Sequence, residues 1–414
     1  MIGPLMKNKV PILLCVLVFY LSCHSDPVVQ FFEYPDHNVL NIGSQLTDLY
    51  ITNDSNTLIA ADKGNNRVLF IDVSSDAMYI KKDILVGSEP TSLDMTDDGR
   101  YLFVGLLGGS SVSVINMTTM TFDGSINLEE DSVFDIEYLS DKCQLIVAYI
   151  SSASPSNSKT YIHIWWADQD GIWYGPNTSC SYAEDPVFVA PDIILSGSNE
   201  FIVSPPSIDD DQKAGLLSVS SDESYLYILD KNQAPQRLHR YEINDDGLGI
   251  RINSSPTSAM TGFNSFNDLK YVNDFGVVVA LDASDPVNGL ELDHAAVYDI
   301  NQLDHISNLD VGSIPLAIAY DAIGEHIYIS PTDVDDNGMF IVEFSIDTQL
   351  QTNYYQVAGL LGSHALVVDH KGEYIYAAVD DLSDQDTHEP YSGSSFNIQK
   401  IKIIPEGTYP INDF

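Results

Sequence analysis

Hydrophobic and polar residues alternate along most of this chain in short runs, and the runs come in sets. In residues 48–73 (DLYITNDSNTLIAADKGNNRVLFIDV) an alternating run leads through a polar turn to a second run, then through a loop to a third that closes on Ile-Asp. Residues 92–117 (SLDMTDDGRYLFVGLLGGSSVSVINM) repeat that grammar. It recurs at 135–151, 216–232, 268–284, 317–333 and 365–381. Alternation at period two between turn residues predicts half-buried antiparallel strands. A repeat of roughly 40–50 residues holding four strands is a propeller blade.

The seven copies predict an all-β fold, a seven-bladed β-propeller of four-stranded antiparallel blades over residues 41–404. One interval breaks the rhythm. Asp135 and Leu216 open successive copies almost two repeats apart, so 175–213 is an insertion or a degenerate eighth blade. Its Pro-rich turns and incomplete strand pattern favour the insertion. Residues 23–40 are read as a tether or a ring-closing strand, and 405–414 as a tail.

The matching residues are Pro90, Asp97-Asp98-Gly99, Tyr101-Leu102-Phe103-Val104 and Val112-Ser113-Val114-Ile115-Asn116. Val86-Gly87-Ser88-Glu89-Pro90 and Val311-Gly312-Ser313-Ile314-Pro315 supply an inter-blade turn. In these the chain resembles the YVTN family of propellers, also described as YncE-like or lactonase-like repeats. The resemblance implies the fold. It is weak for function, because one scaffold carries binding proteins, surface proteins and enzymes.

Mapped on the repeat, three long acidic segments fall in the same slot, the hairpin between the second and third strands of blades five, six and seven. They are 282–294 (DASDPVNGLELDH), 330–339 (SPTDVDDNGM) and 380–395 (DDLSDQDTHEPYSGSS). Blades one and two have short turns there, and a hairpin needs only a few residues. The excess length therefore marks a candidate functional face. Asp333, Asp335, Asn337 and Gly338 match the first half of a calcium loop, which alternates oxygen ligands around a tight turn. The second half fails, since Phe344 stands where an EF-hand has Glu and Ile341 where a calcium hairpin has Asp. A complete calcium site would borrow Asp285, Asp293, Asp380, Asp384 or Asp386 from neighbouring loops. The alternative is that these loops stay solvated. Zinc is disfavoured, because no His/Cys pair has ligand spacing.

The same alignment puts Asp48, Ser92, Asp135 and Asp268 just before the first strand of their blades, with Leu216, Ala317 and Ala365 completing the set. These positions, together with His364, are expected to ring the mouth of the central channel on the loop face. Three aspartates there could hold a cation, or each could simply hydrogen-bond backbone amides.

Charge narrows the partners. With 18 basic and 60 acidic residues the net charge is −42, and phosphate recognition needs clustered Lys and Arg. Nucleic acid is thus not expected as a partner. Residues 1–22 form an export signal, with Lys7 and Lys9 before the apolar Val10–Tyr20 stretch (VPILLCVLVFY), too short for a confident membrane span. Leu21-Ser22-Cys23 resembles a bacterial lipoprotein signal, with Tyr20 where that pattern has Leu, so Cys23 is the expected lipid site. The lipid would be the only membrane contact, in the periplasm or on the cell surface, and secretion is the second choice. Cys143 and Cys180 fall on opposite faces, which argues against a disulfide.

Catalytic motifs are scarce. There is no Gly-x-Ser-x-Gly elbow, His-Glu-x-x-His, P-loop or haem attachment sequence, and no catalytic residue is assigned. Arg237-Leu238-His239-Arg240 reads as an ordinary polar strand face, and one of Trp165-Trp166 could offer a sugar-stacking surface. The expected function is a monomeric binding or scaffold protein for a protein or carbohydrate ligand, with calcium the one cofactor in view. The alternative is a lactonase-like hydrolase at the channel mouth, with His364 as a base.

Overall fold

The computed structural model describes residues 39–127, 131–140, 144–151, 160–167, 173–174, 200–202, 215–230, 238–244, 247–254, 266–281, 283–285, 290–292, 294–311, 315–331, 339–357, 361–379 and 395–404. These residues form β-strands with no α-helix, arranged as a β-propeller. Each blade is an antiparallel sheet whose strands a to d run outward from the channel. Blade two is representative, with Pro90–Met95, Tyr101–Leu106, Ser111–Asn116 and Thr121–Asn127 paired in that order.

Both faces of a blade are covered by its neighbours, and the alternation explains how. In blade two, Leu102, Val104 and Leu106 pack toward blade one. Tyr101 and Phe103 pack toward blade three, where Phe103 stacks on Tyr138 at 5.1 Å between ring centroids. Strand b is therefore buried at every position, an apolar run of the kind that two covered faces require. Among the described residues the core is divided into seven apolar layers, each between two consecutive blades, including one between blades seven and one. The strands nearest the channel likewise touch in sequence around a closed circuit.

Closure comes from one long strand, Val39–Ile51. Its residues 46–51 are strand a of blade one, paired with Thr57–Asp62. Its start is the outer strand of blade seven, where Val39, Leu40 and Asn41 pair with Gln399, Ile398 and Asn397. The ring-closing pairs thus fall at residues 39–41. Pairing across the junction covers the outer edge of the Ser395–Lys402 strand. In blade three the outer strand is made of two short pieces, Trp173–Tyr174 and Glu200–Ile202, both paired with Thr160–Ala167. The second piece adds to an existing blade. The rest of 175–213 lies outside the described residues.

The a–b turns repeat one piece of chemistry. Thr52, Thr96 and Ser220 donate their hydroxyls to Asp54, Asp98 and Asp222 at 2.7, 2.7 and 2.6 Å. The same Asp oxygens accept the amides of Asn56, Arg100 and Ser224. The residue after each Asp has positive φ, and Gly99 takes that place in blade two without the strain a side chain meets.

Candidate functional site

The channel encloses about 430 Å³ and runs the length of the inner strands, from Asp48 and His364 at the loop face to Asp321, Asp369 and His370 at the other. Its upper tier contains all five residues expected at the mouth, Asp48, Ser92, Asp135, Asp268 and His364. Their carboxylates act as staples between blades. Asp48 accepts the amide of Leu49 in its own blade at 2.8 Å and that of Leu93 in the next at 2.7 Å. Asp135 accepts the amides of Ile136 and, one blade on, Leu217 at 2.9 Å each, and also the Ser92 hydroxyl at 2.8 Å. Asp268 accepts from Leu269 at 2.8 Å and from Ile318 of blade six at 2.7 Å. The residues just before two of them join in. Thr47 donates to the Pro90 carbonyl and Asn267 to that of Pro315, both at 2.7 Å. These contacts are backbone pairing of the kind foreseen for the mouth aspartates.

A second tier lies two residues further along the same strands. Tyr50, Asp94, Glu137 and Lys270 line the channel below Asp48, Ser92, Asp135 and Asp268. The period of two that aligned the first tier carries this one too, although sequence reading singled out only the first. Asp94 is another staple, accepting the amides of Met95 and of Tyr138 in blade three. Lys270 is the one Lys or Arg among the described lining residues.

Enclosure in the ring weakens the hydration of these acids and makes ionisation costly. Burial pushes Asp48 up to about 8, against the pull of His364 and the Leu93 amide, with Asp135 adding repulsion. Burial likewise takes Asp94 up to about 7, against its two amide donors and Lys270. Asp135 is raised chiefly by burial, and Glu137 well above its usual range by burial and then by the charge of Asp94.

His364 stands at the mouth with positive φ, its Nδ1 3.0 Å from Asp268 Oδ1. Among the described residues, no group of three or more His, Cys, Asp and Glu side chains is placed to hold a metal ion. Asp333, Asp335, Asn337, Asp293, Asp380, Asp384 and Asp386 lie outside the described residues, as do Cys23, Cys143 and Cys180. Asp285 ends a short strand, Ala283–Asp285, that pairs with Leu290–Leu292 inside the long loop of blade five. Only the backbone of Trp165 and Trp166 is described, opposite Leu145 and Gln144.

One expectation is corrected. Arg240 is not on a solvated strand face. It is 6% exposed, lies 3.6 Å over the Tyr225 ring and donates to the Asn301 carbonyl of the next blade. Sequence reading also missed its equivalent in blade seven, Lys400, whose Nζ donates to the Val73 and Ser75 carbonyls at 2.8 and 2.9 Å. Both sit between blades, where a strand pattern reads simply as polar.

No family model matches the chain, and no curated protein matches it. Solved structures do. Hydrazine synthase from Kuenenia stuttgartiensis aligns over 90% of this chain and 99% of its own at 14% identity, with a TM-score of 0.60. The propeller domain of Cps50 (Swd1) from Myceliophteria thermophila aligns over 89% and 98% at 12% identity and 0.58. The WD40 repeats of RRP9 align over 90% and 100% at 10% identity and 0.58. The chain is a β-propeller. At these identities the likeness establishes the fold and leaves function to the site.

Proposed function

We propose that this protein is an exported binding or scaffold propeller, lipid-anchored through Cys23 at the cell surface or in the periplasm. It recognises a protein or carbohydrate on the acidic loop face of blades five to seven. The observation that carries the reading is a division of labour on that face. The mouth carboxylates are taken up in tying blades together, giving a stiff ring. The spare chain length leaves from the same strand ends in three consecutive blades, between Leu281 and His294, Pro331 and Met339, and Val379 and Ser395. A rigid ring with variable loops is how scaffolds carry binding residues. The WD40 neighbours fit such a role in general terms. Calcium bridging the loop carboxylates belongs to this reading.

The test is thermal melting with calcium and with a chelator, beside a glycan and surface-protein binding screen of a variant whose residues 380–394 are replaced by a two-residue turn. A ligand of the native state raises the midpoint, so calcium should raise it and the loop variant should lose the increment and the binding. Equal melting in calcium and chelator removes calcium from the reading. Binding that survives loop replacement overturns the loop-face assignment. Loss of membrane association in Cys23→Ala checks the anchor.

One observation favours a hydrolase instead. A carboxylate at Nδ1 is how an imidazole is oriented as a base, and His364 has Asp268 there. A phosphorylated sugar lactone is a poor fit, since no arginine is among the described lining residues and Arg67 and Arg100 are paired with aspartates. Turnover of neutral lactones that His364→Ala abolishes would establish this reading over the first.

A further inference from the structure

The staples of blades one to three converge on one stretch of the channel. Asp48 and Asp135 stand in its upper tier and Asp94 and Glu137 in the lower, all lining the same cavity. Three of the four hold a neighbouring blade by its backbone amide, at Leu93, Tyr138 and Leu217. We propose that the part of the inner ring formed by blades one to three is a proton-sensitive clasp, in which partial protonation of its four carboxyl groups lets the staples hold adjacent blades and full ionisation loosens them.

The geometry sets like charges against few opposing ones. Blade one presents Asp48 with Tyr50, blade two Asp94, and blade three Asp135 with Glu137. Facing them, blade five offers Lys270 and the Asp268 carboxylate, and blade seven offers His364, already beside Asp268. Asp321 with Tyr320 of blade six and Asp369 with His370 of blade seven close the far end and add two more carboxylates. Glu137 differs from the staples. Burial and the charges of Asp94, Lys270, Asp135 and Asp48 govern it rather than hydrogen bonds. It adds repulsion without tying a strand, so it is the residue whose neutralisation isolates the effect.

The sign follows from linkage. Asp48 at about 8 and Asp94 at about 7 ionise later in the folded chain than in the unfolded one. A group raised in the folded state adds stability below its unfolded value, and that stability is lost as pH rises through the folded value. Ordinary carboxylates have finished ionising by about pH 6. A fall in stability between about pH 6 and pH 9 therefore reports the channel rather than the acidic surface.

The experiment follows melting of the whole mature chain from about pH 6 to pH 9, for wild type, Glu137→Gln and Lys270→Met. Hydrogen exchange at the Leu93, Tyr138 and Leu217 amides, corrected for intrinsic rate, is measured on the same samples. The wild-type midpoint should fall as pH rises. Glu137→Gln, which leaves His364 and His370 in place, should lose about half of that fall, and Lys270→Met should steepen it. The three amides should lose protection before those of Leu69 and Val114 in the blade cores. A flat wild-type midpoint, or Glu137→Gln running parallel to wild type, overturns the proposal. Should a variant fail to fold, exchange on wild type decides it, because uniform loss of protection across blade cores and staples overturns it equally.

Discussion

His364 Nδ1 lies 3.0 Å from Asp268 Oδ1, while the other oxygen of Asp268 takes the amide of Ile318 at 2.7 Å. One carboxylate of blade five thereby holds blade six and meets blade seven across the channel mouth. Asp268→Ala leaves the Leu269 and Ile318 amides without their acceptor, and a buried donor left unpaired costs about 1–3 kcal/mol. Chemical denaturation should show a loss of about 3 kcal/mol. His364→Ala should cost less, because Asp268 keeps both amides.

Ser92 and Asp135 share a bond that links blades two and three, and Asp135 carries it on to Leu217 of blade four. Ser92→Ala and Asp135→Ala should therefore be non-additive. A double-mutant cycle in denaturant should give a coupling of about 1 kcal/mol, within the range for residues in one network.

Lys400 is 3% exposed and its ammonium lies 4.2 Å from the Tyr374 ring centre, bound to two carbonyls of blade one. It clasps the junction where the two ends of the ring meet. Lys400→Ala should cost about 3 kcal/mol, since it removes charge-assisted bonds and packing together. Hydrogen exchange should rise first in residues 39–41 and 397–399, where the outer strand of blade seven is held.

At acid pH the turn carboxylates matter. The Ser220 hydroxyl, helped by the Ser224 amide, holds Asp222 below the usual carboxylate range. A carboxyl depressed in the folded state adds stability above its unfolded value, and loses it as pH falls through the folded one. Asp222→Asn should therefore be less stable than wild type at neutral pH. The gap should close as pH drops from about 5 to about 2, as read by melting across that range.

The fold was legible because its signals are local. Alternation at period two marks half-covered strands, short apolar runs mark strands covered on both faces, and Thr96-Asp97-Asp98-Gly99 writes its turn within four residues. The channel was half legible. Aligning the repeats finds Asp48, Ser92, Asp135 and Asp268 together, and two residues further would have found Asp94, Glu137 and Lys270. The buried charges were not legible. In sequence Arg240 and Lys400 look like polar strand positions, and only the packing of one blade on the next shows them enclosed.

The sequence by itself determined the repeating unit, its turns and which positions share a face, because each depends on neighbours a few residues away. What the aspartates do was decided by tertiary structure. Asp48 reaches Leu93 and Asp135 reaches Leu217 only because adjacent blades bring those amides to the channel wall. The same holds for residues 39–41 on 397–399, where the first and last blades meet because the ring turns back on itself. Burial then changes the chemistry, since a carboxylate walled in by its neighbours holds its proton where the same residue on a surface turn would release it.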